Sequence, residues 1–140
     1  MKKETLKLSQ LDKDDNVLLY SIVSADSELQ VCSVLNTVFE IRLSLADDIV
    51  ISDKISSKVF RKYYFENEET SEKFILIGNR NQTNYLLPEL KKIDYIFLII
   101  SDASSSDFFE AILELKAYPE ISAVFNVDPA SIKSFNRIQF

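Results

Sequence analysis

Leu87-Pro88-Glu89-Leu90-Lys91-Lys92-Ile93-Asp94-Tyr95-Ile96-Phe97-Leu98-Ile99-Ile100 joins a proline stop to the longest unbroken apolar run of the chain. Between Tyr95 and Ile100 the only polar side-chain atom is the tyrosine hydroxyl. A short run of β-branched and aromatic residues bounded by turn signals predicts a strand buried on both faces. Such a strand lies inside a sheet, so the rest of the chain has to supply neighbours on either side and cover above and below. Pro88 cannot donate to a strand ladder and marks the boundary of the preceding segment.

Downstream, 101–106 is polar, and Asp107 with Glu110 has the spacing of a capping box. Phe108, Ile112 and Leu115 then share one helical face, widened by Phe109 and Leu113, until Pro119 stops the helix. Residues 121–127 predict a strand closed by Asp128-Pro129, and 137–140 a last short strand. Upstream, 59–65 and 74–77 are β-formers on either side of Glu66-Asn67-Glu68-Glu69-Thr70-Ser71-Glu72. They predict a long antiparallel hairpin with an acidic tip. Gly78 is the only glycine, so a positive φ or a close approach is expected there. Asn79, Asn81 and Asn84 supply the remaining turn chemistry of that region.

The first half has the same grammar. Residues 17–23 predict a strand, Asp26 or Ser27 a helix cap, and Leu29, Cys32, Leu35 or Asn36, and Phe39 one helical face. Ile41, Leu43 and Leu45 alternate as in a half-buried strand, and Asp47-Asp48 turns into a short return at 49–51. Residues 5–8 could form an edge strand, and the spaced acids of 12–16 a solvated turn. Those acids lack the glycine and distal glutamate of a calcium loop.

Two strand–helix–strand units, 17–45 and 95–127, thus flank a hairpin. A helical crossover lets the two strands of each unit run in the same direction. Each helix carries one apolar stripe, so both can cover the same sheet face. The expectation is a single α+β domain over residues 1–140. It is a two-layer sandwich of a mostly antiparallel sheet with two helices on one face, a ferredoxin-like variant. Its second sheet face must then leave water under the long hairpin or against another subunit. Exposing three such side chains costs about 1.5–3 kcal/mol each, which predicts a homodimer through that face.

Composition narrows the chemistry. A chain of 140 residues with a net charge of −6 repels phosphate backbones, which argues against nucleic acid as a partner. Histidine is absent, removing the usual neutral-pH base and the commonest metal ligand. The single cysteine, Cys32, permits no internal disulfide and reads as a buried helix residue. One glycine cannot build a glycine-rich phosphate loop. No cofactor or metal is expected. The start shows no apolar leader and no run approaches a membrane span, so a cytoplasmic location is expected.

The spacing Leu87-Pro88-Glu89, three residues, Ile93-Asp94-Tyr95 resembles the motif of the bacterial IPExxxVDY family, with Leu for Ile and Ile for Val. That resemblance implies a short single domain and no established activity. The segment 115–124, Leu-Lys-Ala-Tyr-Pro-Glu-Ile-Ser-Ala-Val, resembles the helix-to-strand passage of ACT-like regulatory domains, with Glu120 where they often carry glycine. The motif residues Leu87, Pro88, Glu89, Ile93, Asp94 and Tyr95 are the candidate site. Their favoured roles are structural: Glu89 accepting backbone N–H groups, Asp94 tying the strand start, and Tyr95 packing with its hydroxyl bonded. Acid–base work by Glu89, Asp94 and Tyr95 would need convergence, whereas strand alternation puts Asp94 and Tyr95 on opposite faces. The function expected is a non-catalytic interaction module that pairs with itself or with another protein. A small-ligand regulatory domain and an enzyme are the alternatives.

Overall fold

A computed structural model describes residues 16–52, 55–81 and 84–138. In chain order the elements are β1 (Asn16–Val23), α1 (Glu28–Phe39), β2 (Ser44–Leu45), β3 (Ile49–Ser52), β4 (Ser57–Phe60), β5 (Lys62–Glu66), β6 (Lys73–Gly78), β7 (Arg80–Asn81), β8 (Asn84–Tyr85), β9 (Tyr95–Ser101), α2 (Phe109–Lys116) and β10 (Ala123–Val127). Short 3-10 turns occupy Pro88–Leu90, Ser105–Phe108, Pro129–Ser131 and Lys133–Arg137.

β9 is the expected interior strand, and every one of its residues is buried. It pairs antiparallel with β1 from Asn16↔Ser101 to Ile22↔Tyr95, and with β6 from Lys73↔Ile100 to Gly78↔Tyr95. The main sheet has the order β10-β1-β9-β6-β5-β2 and is antiparallel throughout. Both β9 and β10 oppose β1, so they run the same way with β1 between them. The crossover through α2 therefore passes over a strand. The first unit spreads further, because β9, β6 and β5 all separate β1 from β2. Each unit keeps the expected strand direction, without adjacency.

Alternation sorts the two faces. Phe74, Leu76, Tyr95, Phe97, Ile99, Tyr20 and Ile22 meet Val31, Cys32, Val34 and Leu35 of α1 and Ile112 and Leu115 of α2. Phe39 of α1 lies 5.2 Å from Phe97 and 5.9 Å from Phe74, ring centre to ring centre, at tilted angles that favour aromatic pairs. The helix layer is thus on one face. Ser27 starts α1 with a capping box closed by Gln30, and Glu40 ends it in the left-handed region at φ 56°.

The second face is a correction to the sequence reading. Leu19, Ile75, Ile77, Ile96, Leu98 and Ile100 are covered by the chain itself. Ile49 and Phe60 of the β3–β4 hairpin, Leu86 and Leu87, and Ile132, Phe135 and Ile138 form the cover. Each covering segment contributes only a few apolar side chains in turns or short strands. None has a periodicity by which the sequence could announce a second layer.

Other boundaries also move. The half-buried strand expected at Ile41–Leu45 shrinks to the two residues of β2, and Leu45 is exposed. The hairpin with the acidic tip is β5–β6, while 57–60 pair with 49–52 instead. Ser104, not Asp107, is the cap before α2, with Asp107 closing its capping box from the third position. Of the last strand expected at 137–140, Arg137 instead closes a 3-10 turn. The calls at 5–8 and 12–15 lie outside the described residues, as do Gln139 and Phe140. Among the described residues no helix is long and apolar enough to cross a membrane.

Candidate functional site

The motif residues cross one end of the sheet and fasten to both layers. Leu87 and Ile93 are buried, and Pro88 opens the 3-10 turn. Glu89 points to the cover, where its carboxylate accepts the Ser134 N–H at 3.0 Å and the Ser134 hydroxyl. These bonds hold the Glu89 carboxyl below the usual carboxylate range. Asp94 and Tyr95 instead reach the turn between β1 and α1. Asp94 Oδ2 accepts the Ser24 N–H at 3.0 Å, and its Oδ1 lies 3.2 Å from Arg80 Nη2. The Tyr95 hydroxyl donates to the Asp26 carbonyl at 2.6 Å. Asp94 and Tyr95 therefore converge on one turn, contrary to alternation, because Asp94 precedes the first regular residue of β9. Glu89 is not brought to them.

Asn79 organises this stretch, and the sequence reading assigned it only turn chemistry. It is fully buried. Its Nδ2 donates to the Leu90 and Ile93 carbonyls, each at 2.9 Å, and its Oδ1 accepts the Leu87 N–H at 2.9 Å. Its own N–H and C=O bond to the Asp94 carbonyl and the Leu86 N–H. The available signal was an asparagine directly after an apolar strand, at the chain's sole glycine.

Beside Asp94 lie two polar pockets that share lining residues. One, of about 170 Å³, is lined by Ser24, Asp26, Glu28, Gly78, Arg80 and Asp94 among others. The other, of about 300 Å³, shares Glu28, Gly78 and Arg80 and adds Asp48, Arg61 and Asn81. Glu28 accepts the Tyr63 hydroxyl at 3.1 Å and stands 4.0 Å from Arg61 Nε. Burial, then the charges of Glu28 and Asp94, push the Tyr95 hydroxyl up to about 12. Gly78 departs from expectation: its φ is not positive, and a Cβ there would meet nothing within 4 Å among the described residues.

No family profile matches this chain, and no curated protein matches it. Its chemistry has to be read from the residues themselves. Among the described residues, no three or more of Cys, Asp and Glu gather as a metal centre.

A second feature is apolar. β10 is an edge strand of the main sheet. On the helix face beside it, Tyr20, Phe109, Ile112, Lys116, Val124 and Asn126 line most of a groove of about 400 Å³. Phe109, Ile112, Leu113 and Lys116 follow helical spacing along α2. Phe109 is 61% exposed, Leu113 50%, and Phe125 of β10 53%.

Proposed function

We propose that this chain is a non-catalytic interaction module that associates with a second copy of itself along β10 and the adjoining stripe of α2. The observation that carries the reading is the contrast between the sheet's two edges. β2 is two residues long, a length that limits pairing with another chain. β10 is five residues, Ala-Val-Phe-Asn-Val, with no charge, proline or glycine to blunt it. A long, uncharged edge is a template for a further strand. Antiparallel pairing of β10 with its own copy, centred on Phe125, is self-complementary, as a two-fold dimer requires. It would also shield Phe109 and Leu113 of α2 on the helix face and, on the opposite face, set Phe125 against its own copy. The covered second face no longer calls for a partner, so the dimer surface proposed is this edge.

The same proposal includes kinship. The order β10-β1-β9-β6 with two helices on one face supports a ferredoxin-like core, extended by β5 and β2. The motif supports membership of the IPExxxVDY family.

Size-exclusion chromatography with light scattering tests the reading. A dimer is expected at about 10 μM, and Phe125→Lys combined with Leu113→Glu should give a folded monomer with an unchanged far-ultraviolet spectrum. A wild-type chain that stays strictly monomeric up to about 100 μM, or a double variant that still dimerises, refutes it.

A further inference from the structure

We propose that the groove between α2 and β10 binds a medium-chain carboxylate, with its alkyl tail along Phe109, Ile112 and Val124 and its head group on Lys116 and the Tyr20 hydroxyl. The first observation is a buried phenol with nothing to bond. Tyr20, Tyr63 and Tyr95 are the buried tyrosines among the described residues. The Tyr63 hydroxyl donates to Glu28, and the Tyr95 hydroxyl to the Asp26 carbonyl. Tyr20 is 2% exposed, and its hydroxyl has no hydrogen-bond partner among the described residues. Buried tyrosines ordinarily find one, because phenylalanine fills the same space without desolvating a hydroxyl. Ser21 Oγ and Glu120 Oε1 also lack partners, but both are sealed from solvent. The Tyr20 hydroxyl is not sealed in this way, and Tyr20 lines the groove. Burial raises its pKa, so it remains a donor through neutral pH.

The rest of the lining selects what that phenol would meet. Lys116 is the one charged side chain among the lining residues, and it has no ion-pair partner among the described residues. Glu110 and Glu114 fall on the other side of α2 by helical spacing, and Asp107 is held by Ser104. Asn126, directly across from Tyr20 in the β1–β10 register, brings an amide to the same floor. An ammonium with a hydroxyl and an amide beside it, and no carboxylate in the lining, suits a single negative charge. The remaining walls are apolar. Phe109 to Lys116 covers about 10 Å along the helix, with Ile112 between them and Val124 on the strand below, and Phe109 stays 61% exposed. A cavity of about 400 Å³ with apolar walls and a few polar groups is the ordinary form of a small-molecule site. A short polar acid would leave Phe109 wet, and an alcohol or an amine would leave the Lys116 charge unmatched. The site is built from one chain, so it does not rest on self-association along β10.

Calorimetry on the full-length protein is the test, with octanoate as the probe and octanol, octylammonium and acetate as controls. Saturable binding of one octanoate per chain is expected, at a dissociation constant of about 1 mM or tighter, and none of the controls should match it. From butanoate to octanoate the affinity should rise about fourfold for each methylene buried. Tyr20→Phe removes only the hydroxyl, so the free variant should keep or exceed the parent melting temperature. It should nevertheless bind octanoate at least ~5-fold more weakly. Lys116→Met should weaken binding at least ~10-fold, and Lys133→Met should leave it unchanged. No saturable binding at about 20 mM octanoate overturns the proposal. So does equal affinity for octanol, or an affinity that ignores chain length. So does unchanged affinity in both Tyr20→Phe and Lys116→Met, which would mean that only water meets the phenol. Light scattering on the same samples follows self-association, so either reading can fail without the other.

Discussion

Replacing Asn79 by alanine should be among the most damaging single changes outside the apolar core. The side chain satisfies two buried backbone groups that have no other partner among the described residues, the Leu87 N–H and the Ile93 carbonyl, and shares the Leu90 carbonyl with the Ile93 N–H. An unpaired buried backbone group costs about 1–3 kcal/mol, so Asn79→Ala should lose about 2–6 kcal/mol. A domain has about 5–15 kcal/mol in all. With a urea slope near 2 kcal/mol/M, the unfolding midpoint should fall by about 1–3 M. Asn79→Asp separates hydrogen bonding from volume. It keeps an acceptor for Leu87 and turns a carboxylate oxygen toward two carbonyls in place of donors. The introduced carboxyl is therefore raised above its unfolded value near 3.9. That variant's stability should be fullest below about pH 4 and be lost as pH rises through the folded value. A midpoint shift under about 0.5 M for Asn79→Ala, or no gain on acidification for Asn79→Asp, refutes the account.

Other outcomes follow from the same geometry. Burial raises the hydroxyls of Tyr64 and Tyr95 to about 12 each from the ordinary value near 10. Their neutral forms favour the fold, so stability should hold below pH 10 and fall between about pH 10 and 12, together with tyrosinate absorbance. Alkaline unfolding complete below about pH 9 would contradict this. Cys32 is 5% exposed, and burial with Glu28 pushes its thiol up to about 11. It should react with a thiol reagent only as fast as the protein unfolds, and prompt stoichiometric labelling of native protein would show the burial wrong. The Glu89 carboxyl lies below its ordinary value, so its bonds to Ser134 are complete above the carboxylate range and are lost as pH falls through the folded value. The Ser134 amide shift should report that step, and the step should vanish in Glu89→Ala. A Ser134 step centred at or above the ordinary glutamate value of about 4.3, or one that persists in Glu89→Ala, would count against the clamp.

The interior strand was legible because burial on both faces leaves an unbroken apolar run at 95–100. The helices were legible from spacing, but their faces only in part: Leu29, Phe109 and Leu113, expected on the apolar stripes, are exposed, and Val31 and Val34 pack with Cys32 and Leu35 in α1. The cover was not legible. Ile49, Phe60, Ile132, Phe135 and Ile138 are scattered among turns and short strands, and only tertiary packing makes them a layer. Strand order was equally hidden, since nothing local specifies that β6 rather than β2 lies against β9. Within the motif, the spacing did not show where Asp94 would turn. Alternation governs paired strand residues, and Asp94 stands one residue before them. The polar pockets were least legible of all, because Arg61, Arg80, Asp26 and Glu28 come from separate parts of the chain.

The segment 86–95 ties three parts of the fold together. Residues 86–95 leave the second face at Leu86 and Leu87 and enter the interior strand at Tyr95. On one side Glu89 holds Ser134, and Arg137 donates to the Leu86 carbonyl at 2.9 Å, so the C-terminal cover is tied to this segment. On the other side Asp94 and Tyr95 hold the β1–α1 turn, which sets where the helix layer begins. Between the two tethers the chain makes no regular ladder, and Asn79 supplies its missing partners. A single segment thus couples the cover, the sheet and the helix layer. Cooperative unfolding needs such coupling, because two layers that touched only through the sheet could open separately. The carboxylates and phenol of the motif are committed to this work, whereas β10 has no further strand beside it among the described residues.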